Sequence, residues 1–214
     1  AELSAIGGAT TGTVTVTNAV AITGSTSEAT AALVTAGTKV SVSDATVTIN
    51  DADLAALDAT ALSAIGNKTT GTVTVTNAVA ITGNHDELTA ALVTAGTKVE
   101  LSDATVTVND ADTTAITAAE LSAIGGATTG TVTVTNAINV TGTADQAIAA
   151  LVTDGSKVSV SDAVITLSDD PDLTELGQLN AATSGTIKIS TQNKAYSGSA
   201  SALATALDGT ITDN

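Results

Sequence analysis

Residues 1–19 read AELSAIGGATTGTVTVTNA, and the same 19 residues recur unchanged at 119–137. A close copy, LSAIGNKTTGTVTVTNA, occupies residues 62–78, so the sequence repeats with a period of 59 residues. Exact periodicity of this length is typical of proteins whose units bury their apolar residues against neighbouring units. The sequence therefore predicts a single solenoid segment of a longer array. Its units are expected at about 3–61, 62–120 and 121–179, followed by a divergent last coil at 180–214.

Each unit reads as two similar coils, in which a strand is followed by a helix. Alternating Thr and Val at 13–17 predict a strand whose valines face inward. Residues 25–37 have the composition of a helix, and a capping box marks its start in every unit, where a small polar residue is followed three positions later by Glu or Gln. The three boxes begin at Ser25, Asn84 and Thr143.

The second coil of each unit is also predicted to contain a helix, over 52–66 in the first unit. Leu54, Leu57, Ala61 and Ile65 lie at helical spacing there. An aspartate precedes this helix in each unit and is expected to begin it, with proline in the first helical position of the third. These residues are Asp51, Asp110, Asp170 and Pro171. Glycines that follow the helices are predicted to be C-caps, namely Gly37, Gly96 and Gly155 for the first type and Gly66 and Gly125 for the second.

Dimensions decide how the coil closes. An unbroken strand over 13–23 would span about 36 Å, whereas a helix of about 11 residues returns only about 17 Å. The path closes if the strand bends at a corner, and polar corner residues recur at Asn18, Asp44, Asn77, Asp103, Asn136 and Asp162. The sequence thus predicts an α/β repeat protein, a right-handed solenoid whose short parallel strands bend at Asn/Asp corners, with one short helix per coil.

Composition excludes several classes of function. The chain has no Cys, Met, Trp or Phe, one Tyr and one His, and a formal net charge of −16. Nucleic-acid binding is disfavoured, because it requires basic stripes and stacking aromatic residues, and no apolar run is long enough for membrane insertion. No catalytic triad or transition-metal cluster can be assembled from these residue types, so we expect no enzyme activity.

Paired acidic residues recur once per unit and are candidate calcium ligands, since calcium prefers several hard oxygen atoms. The candidates are Asp51, Asp53, Asp110, Asp112, Asp170 and Asp172. The alternative is structural, because an aspartate before a helix and another in its first turn are favoured by capping and by the helix dipole. No other cofactor is expected.

Threonines alternate along the first strand of each unit and are candidates for binding ice or polysaccharide. They are Thr13, Thr15, Thr17, Thr72, Thr74, Thr76, Thr131, Thr133 and Thr135. In the intervening coils, Ser41 and Glu100 take the equivalent places, so an uninterrupted Thr face is not predicted. The alternative is the ordinary preference of Thr for a solvated strand.

The phrase LSAIGGATTGTVTVTNAVAITG at 3–24, followed by STSEATAALVTAG at 25–37, resembles the Ala/Thr/Val-rich strand–helix repeats of very large secreted or surface proteins of cyanobacteria and other marine bacteria. The resemblance implies an extracellular or cell-surface, structural or adhesive role and carries over no catalytic residues. We therefore expect a non-catalytic structural module, namely a stalk, spacer or filament-forming element. Its expected partners are copies of itself or neighbouring repeats of the same chain. The alternative is an adhesin-type or ice- or polysaccharide-binding module that uses the Thr/Ser-rich strand face.

Overall fold

The computed structural model describes residues 1–38, 40–97, 99–155, 158–191 and 194–213. Within these ranges the chain has an α/β fold, with eight α-helices and four sheets whose strand pairings are parallel. The predicted α/β class is therefore confirmed. The chain divides into two compact units, the first formed by Ala1–Val106 with Ala127–Gly130 and the second by Thr107–Gly126 with Thr131–Asn214.

The first compact unit contains four helices, two of which continue as a π-helical turn, together with eight strands. The helices are α1 (Glu2–Gly8), α2 (Thr26–Ala29, continued by Thr30–Val34), α3 (Ala59–Gly66) and α4 (His85–Leu88, continued by Thr89–Val93). The strands are β1 (Val14–Thr15), β2 (Ala21–Gly24), β3 (Val40–Ser41), β4 (Thr46–Ile49), β5 (Ala56–Asp58), β6 (Val73–Val75), β7 (Ala80–Gly83) and β8 (Val99–Glu100). Strand β9 (Thr105–Val108) spans the division between the two units.

The second compact unit contains the remaining elements. Its helices are α5 (Ala118–Gly126), α6 (Ala144–Leu151), α7 (Leu173–Ala182) and α8 (Ala200–Ala206). Its strands are β10 (Ala115–Thr117), β11 (Val132–Val134), β12 (Asn139–Gly142), β13 (Val158–Ser159), β14 (Val164–Leu167), β15 (Ile187–Ile189) and β16 (Ile211–Asp213).

Parallel strands align equivalent residues from successive coils, so that one apolar row runs across each sheet. In the first unit the strand order is β2-β4-β6-β8, and the inward row is Ile22, Val47, Val73 and Val99. In the second unit the order is β10-β12-β14-β15-β16, and the inward row is Ile116, Val140, Ile165, Ile187 and Ile211. The core is thus built from stacked Val, Ile and Leu side chains, as the lack of aromatic residues requires.

The predicted bend in the strand is confirmed. The Thr/Val run forms β1 and β2 with a gap at 16–20, and the second run forms β3 and β4 with a gap at 42–45. At these corners the amides of Asn77 and Asn136 donate to the carbonyls of Asp51 and Asp110 in the preceding coil. Polar corner side chains therefore satisfy backbone groups that leave the ladder.

The predicted start of the second helix was wrong. Residues 56–58 form strand β5, and α3 begins only at Ala59, where the Asp58 carboxylate accepts the N–H of Thr60 at 2.8 Å. The cause is Leu54, which adopts a left-handed φ of 62°, a conformation that cannot continue a right-handed helix. In the second repeat the corresponding helix likewise begins after β10, at Ala118 rather than at Asp110.

The N-terminal capping boxes are confirmed, but the C-cap glycines are not. Ser25, Asn84 and Thr143 each accept the N–H three residues on, and the Glu or Gln at that position accepts the N–H of the cap. Among the described glycines, only Gly142 has a positive φ. The glycines predicted as C-caps, Gly37, Gly96, Gly155, Gly66 and Gly125, therefore do not adopt the left-handed conformation of that motif.

Candidate functional site

The acidic pair of the first repeat binds backbone groups of two different coils. The Asp51 carboxylate accepts both the N–H and the hydroxyl of Thr26, each at 2.7 Å, and so holds the start of α2. The Asp53 carboxylate accepts the N–H of Ala78 at 3.3 Å. Thr26 lies 25 residues before Asp51 and Ala78 lies 25 residues after Asp53. The pair therefore links three successive turns of chain.

The later acidic clusters are used in related ways. Asp112 accepts the N–H of Ala137 at 3.1 Å, which repeats the contact of Asp53. Asp110 is buried, with 7% of its surface exposed. Asp172 caps α7 by accepting the N–H groups of Thr174 and Glu175. Capping of the following helix, the structural alternative for these residues, thus applies to Asp172 within this set, with α7 beginning after Pro171 rather than at it.

Metal-binding geometry was sought around these carboxylates. Over the described residues, no group of three or more His, Cys, Asp or Glu side chains is arranged to hold a metal ion. Carboxylate oxygens of Asp51, Asp53, Asp112 and Asp172 instead accept hydrogen bonds from nearby N–H groups. The arrangement fastens the backbone of one coil to the next.

A cluster around Asp170 joins the divergent last coil to the third repeat. Its carboxylate accepts the N–H of Thr191 at 2.8 Å and the hydroxyl of the same residue, and lies 3.7 Å from Lys194 Nζ. Lys194 also lies over the ring of Tyr196, 5.5 Å from its centre. The hydrogen bond from the Thr191 hydroxyl is the main cause that lowers the pKa of Asp170.

The same cluster raises the pKa of Tyr196, first through burial and then through the negative charges of Asp170 and Glu175. Its phenolic oxygen is buried and has no hydrogen-bond partner in the described structure. Sequence reasoning treated Tyr196 as a filler, although it is the only aromatic residue and lies two positions after one of the six lysines. The cluster holds an ion pair and a cation–π contact, both of which are structural interactions.

The threonine ladders do not form one face. Thr15 lies in β1 opposite Ser41, and Thr133 lies in β11 opposite Ser159. The remaining members flank the short strands, except Thr74, which lies in β6. Its neighbours across the sheet are Thr48 and Glu100.

A different outward row of threonines was missed because it mixes three types of strand. In the first unit it runs across adjacent strands as Thr23, Thr48 and Thr74, and in the second as Thr117, Thr141 and Thr166. A charged residue ends each series, Glu100 in the first and Lys188 in the second. Each row therefore presents three threonines before it is interrupted.

The motif Thr-Thr/Ser-Gly fastens successive coils and is the most regular polar contact in the chain. The Thr69 hydroxyl donates to the Ala45 carbonyl at 2.5 Å and accepts the N–H of Gly71 at 3.0 Å. Thr128 and Thr183 make the same two contacts in the later coils. A Cβ at Gly71 would lie 2.3 Å from the Ala45 oxygen, so this close approach requires glycine.

None of the helices in the described ranges is long and apolar enough to cross a bilayer. The sites found in these ranges are contacts between turns of the same chain, built from Asp, Asn, Thr and Gly at repeating positions. Comparison with known proteins found no matching family model and no curated protein or solved structure with significant similarity to this chain.

Proposed function

We propose that the chain is a non-catalytic structural repeat module, a stalk, spacer or filament-forming element, whose coils stack as a right-handed solenoid. The observation that carries the proposal is the recurrence of polar contacts between positions 24 to 27 residues apart. Candidate ligand residues such as Asp51 and Asp53 serve these contacts. In such a protein each coil stabilises mainly its neighbours, so length can grow without a new core.

Location in a secreted or cell-surface bacterial assembly is part of the proposal. A net charge of −16 favours a particle that repels its own kind in solution, and the absence of Cys makes it independent of redox conditions. The resemblance of residues 3–37 to repeats of large secreted and surface proteins supports the same location.

A series of chains with different repeat numbers tests the proposal. One further copy of residues 62–120 would be inserted after residue 120, and small-angle X-ray scattering would give the maximum dimension of each chain. We expect each added unit to increase this dimension by a constant amount and to raise the melting temperature, because every unit adds one more interface. Growth of the radius as a compact globule would contradict the proposal.

A second candidate function is recognition of ice or polysaccharide by the Thr/Ser-rich strand face. The observation that favours it is the outward row Thr23, Thr48 and Thr74, whose members lie on adjacent strands, about 4.8 Å apart. Thermal hysteresis and a glycan array would test it. Thr48→Lys should abolish binding, and Ser41→Lys, on another sheet, is the matched control.

A further inference from the structure

The first coil presents an open groove beside the outer strand of a sheet. Strand β2 is the outermost strand of the sheet β2-β4-β6-β8. The groove has a volume of about 430 Å³ and is lined by β2, by the start of α1 and by α2, with Val16, Val20, Ile22 and Ala29 among its apolar side chains.

The same groove is filled in the later repeats. Ile22 is half-buried, whereas its counterparts Ile81 and Val140 are 0% exposed. In those repeats a short strand covers the position, with Leu57 of β5 opposite Ile81 and Ile116 of β10 opposite Val140. The chain itself thus specifies what fits the groove, namely a parallel strand with a large apolar residue at its centre.

The last described strand has this character. Residues 210–212 read Thr-Ile-Thr, and residues 115–117, which form β10, read Ala-Ile-Thr. Strand β16 pairs with β15 on one side and is the outermost strand of its sheet. Ile211 is half-buried and Thr212 is exposed.

Backbone groups at the two outer edges are complementary. In β2 the Val20 carbonyl accepts the N–H of Thr46, so this set of groups faces β4, and the groups of Ala21 and Thr23 face the groove. In β16 the Thr210 carbonyl accepts the N–H of Ile187 at 2.9 Å. The N–H and carbonyl of the next residue, Ile211, therefore face away from β15.

We propose that a second copy of the chain places its β16 in this groove, parallel to β2, with Ile211 opposite Ile22. The Ile211 N–H then donates to the Ala21 carbonyl, and the Thr23 N–H donates to the Ile211 carbonyl. This joint rests on the proposed structural function and gives it a specific mode of assembly. Since the two surfaces differ, the contact is head-to-tail and leaves one of each free on every dimer.

The joint also supplies a missing helix cap. Strands β5 and β10 end in residues that cap the next helix: Asp58 accepts the N–H of Thr60 at 2.8 Å, and Thr117 accepts that of Glu120 at 3.2 Å. Helix α1 has no side-chain cap. Thr212 follows Ile211 as Thr117 follows Ile116, so the strand that fills the groove brings a hydroxyl to the start of α1.

Sedimentation velocity over a wide range of chain concentration tests the joint. We expect the mass to rise with concentration above that of one 20.6 kDa chain, and linear oligomers to appear in electron micrographs. Thr23→Pro removes the N–H that faces the groove, a change tolerated on an outer strand, and should weaken association at least tenfold. Thr23→Val keeps the N–H and is the matched control.

An extended chain provides a second test that does not depend on proline. Residues 119–137 are identical to 1–19, so a copy of residues 111–118 placed before Ala1 should fill the groove from within the same chain. This extended chain should remain monomeric. The same extension with Asp in place of its Ile cannot bury that residue, and it should still associate.

The outcomes separate this joint from the general structural role. A chain that remains monomeric at every concentration, while the repeat-number series behaves as expected, would overturn the joint alone. Association that neither Thr23→Pro nor the extension weakens would place the contact elsewhere and overturn the pairing of β16 with β2. Failure of the repeat-number series would remove the structural proposal itself.

Discussion

Two residues hold the backbone in a conformation that disfavours their own side chains. Leu54 and Thr113, 59 residues apart, have φ values of 62° and 65°. Each N–H donates to a carbonyl of the next coil, to Ala78 at 2.8 Å and to Ala137 at 2.7 Å. The left-handed conformation costs a residue with a Cβ about 1–2 kcal/mol, so these contacts are formed against local strain.

Replacing Leu54 by glycine should therefore stabilise the protein. The Leu54 side chain is 77% exposed, so little packing is lost, and we expect Leu54→Gly to raise the free energy of unfolding by about 1 kcal/mol. Urea denaturation would measure the change. Leu54→Ala retains the Cβ and should give no comparable gain, and an equal gain in both variants would contradict the explanation.

Whether a residue's role could be predicted depends on how far away its partner lies in the sequence. The box formed by Ser25 and Glu28 is local, and its spacing alone predicts both hydrogen bonds. The partner of Asp51 is Thr26, in the previous coil, and no local pattern connects the two. Cap, corner and inward strand residues were therefore predictable, whereas the acidic pairs could be assigned only once the coils were aligned.

Helices of this chain lie unusually close to the backbone of neighbouring coils. A Cβ at Gly66, near the end of α3, would lie 1.9 Å from the Thr97 carbonyl oxygen. Gly7, at the corresponding position of α1, would clash with Thr38 in the same way. Glycine is required here by close packing rather than by a left-handed turn, which explains why it was mistaken for a C-cap.

Gly66→Ala should destabilise the protein strongly. The added methyl group must push α3 away from Thr97, and we expect a loss of about 3 kcal/mol in the free energy of unfolding. Gly96→Ala is the matched control, because a Cβ there meets no atom within 4 Å and φ is not positive. Thermal melts followed by circular dichroism would compare the two, and similar melting temperatures would contradict the packing argument.

The π-helical turn after α4 contains a removable fault. The Thr89 hydroxyl is buried and has no hydrogen-bond partner among the described atoms. Thr89→Val keeps the shape and removes the unsatisfied group, so we expect about 1 kcal/mol of added stability. Thr30, its counterpart in the first repeat, is not among these unsatisfied groups, and Thr30→Val should give a smaller gain in the same chemical denaturation experiment.

Strand β5 shows why one element escaped prediction. Leu54, Leu57, Ala61 and Ile65 have helical spacing, and nothing in their residue types indicates a strand. The left-handed Leu54 interrupts this pattern, and pairing with β7 converts residues 56–58 into a strand. Only the contact with a later coil decides between the two conformations.

At the scale of the whole chain, acidity is the dominant electrostatic property. The formal charge is −16, and only six lysines oppose 22 acidic residues. Repulsion among exposed carboxylates opposes the folded state and is screened by salt within about 10 Å at 0.1 M ionic strength.

Salt should therefore stabilise the protein without regard to the identity of the cation. We expect the melting temperature to rise with sodium chloride, and calcium chloride at equal ionic strength to give a similar rise, because several candidate carboxylates already accept backbone N–H groups. Circular dichroism melts with calcium and with chelator would check this. A much larger rise with calcium would identify a specific site.

The spacing between paired strands has a consequence for how such a gene can lengthen. Partners in a sheet lie 24 to 26 residues apart, as for Ala115 with Asn139 and Val47 with Val73, whereas the text repeats after 59. A tandem duplication of 25 codons would join unlike segments and place a helix start where a strand is needed. A duplication of 59 codons reproduces every junction that the chain already contains. Copy number is therefore free to change by recombination only in whole steps of that larger size.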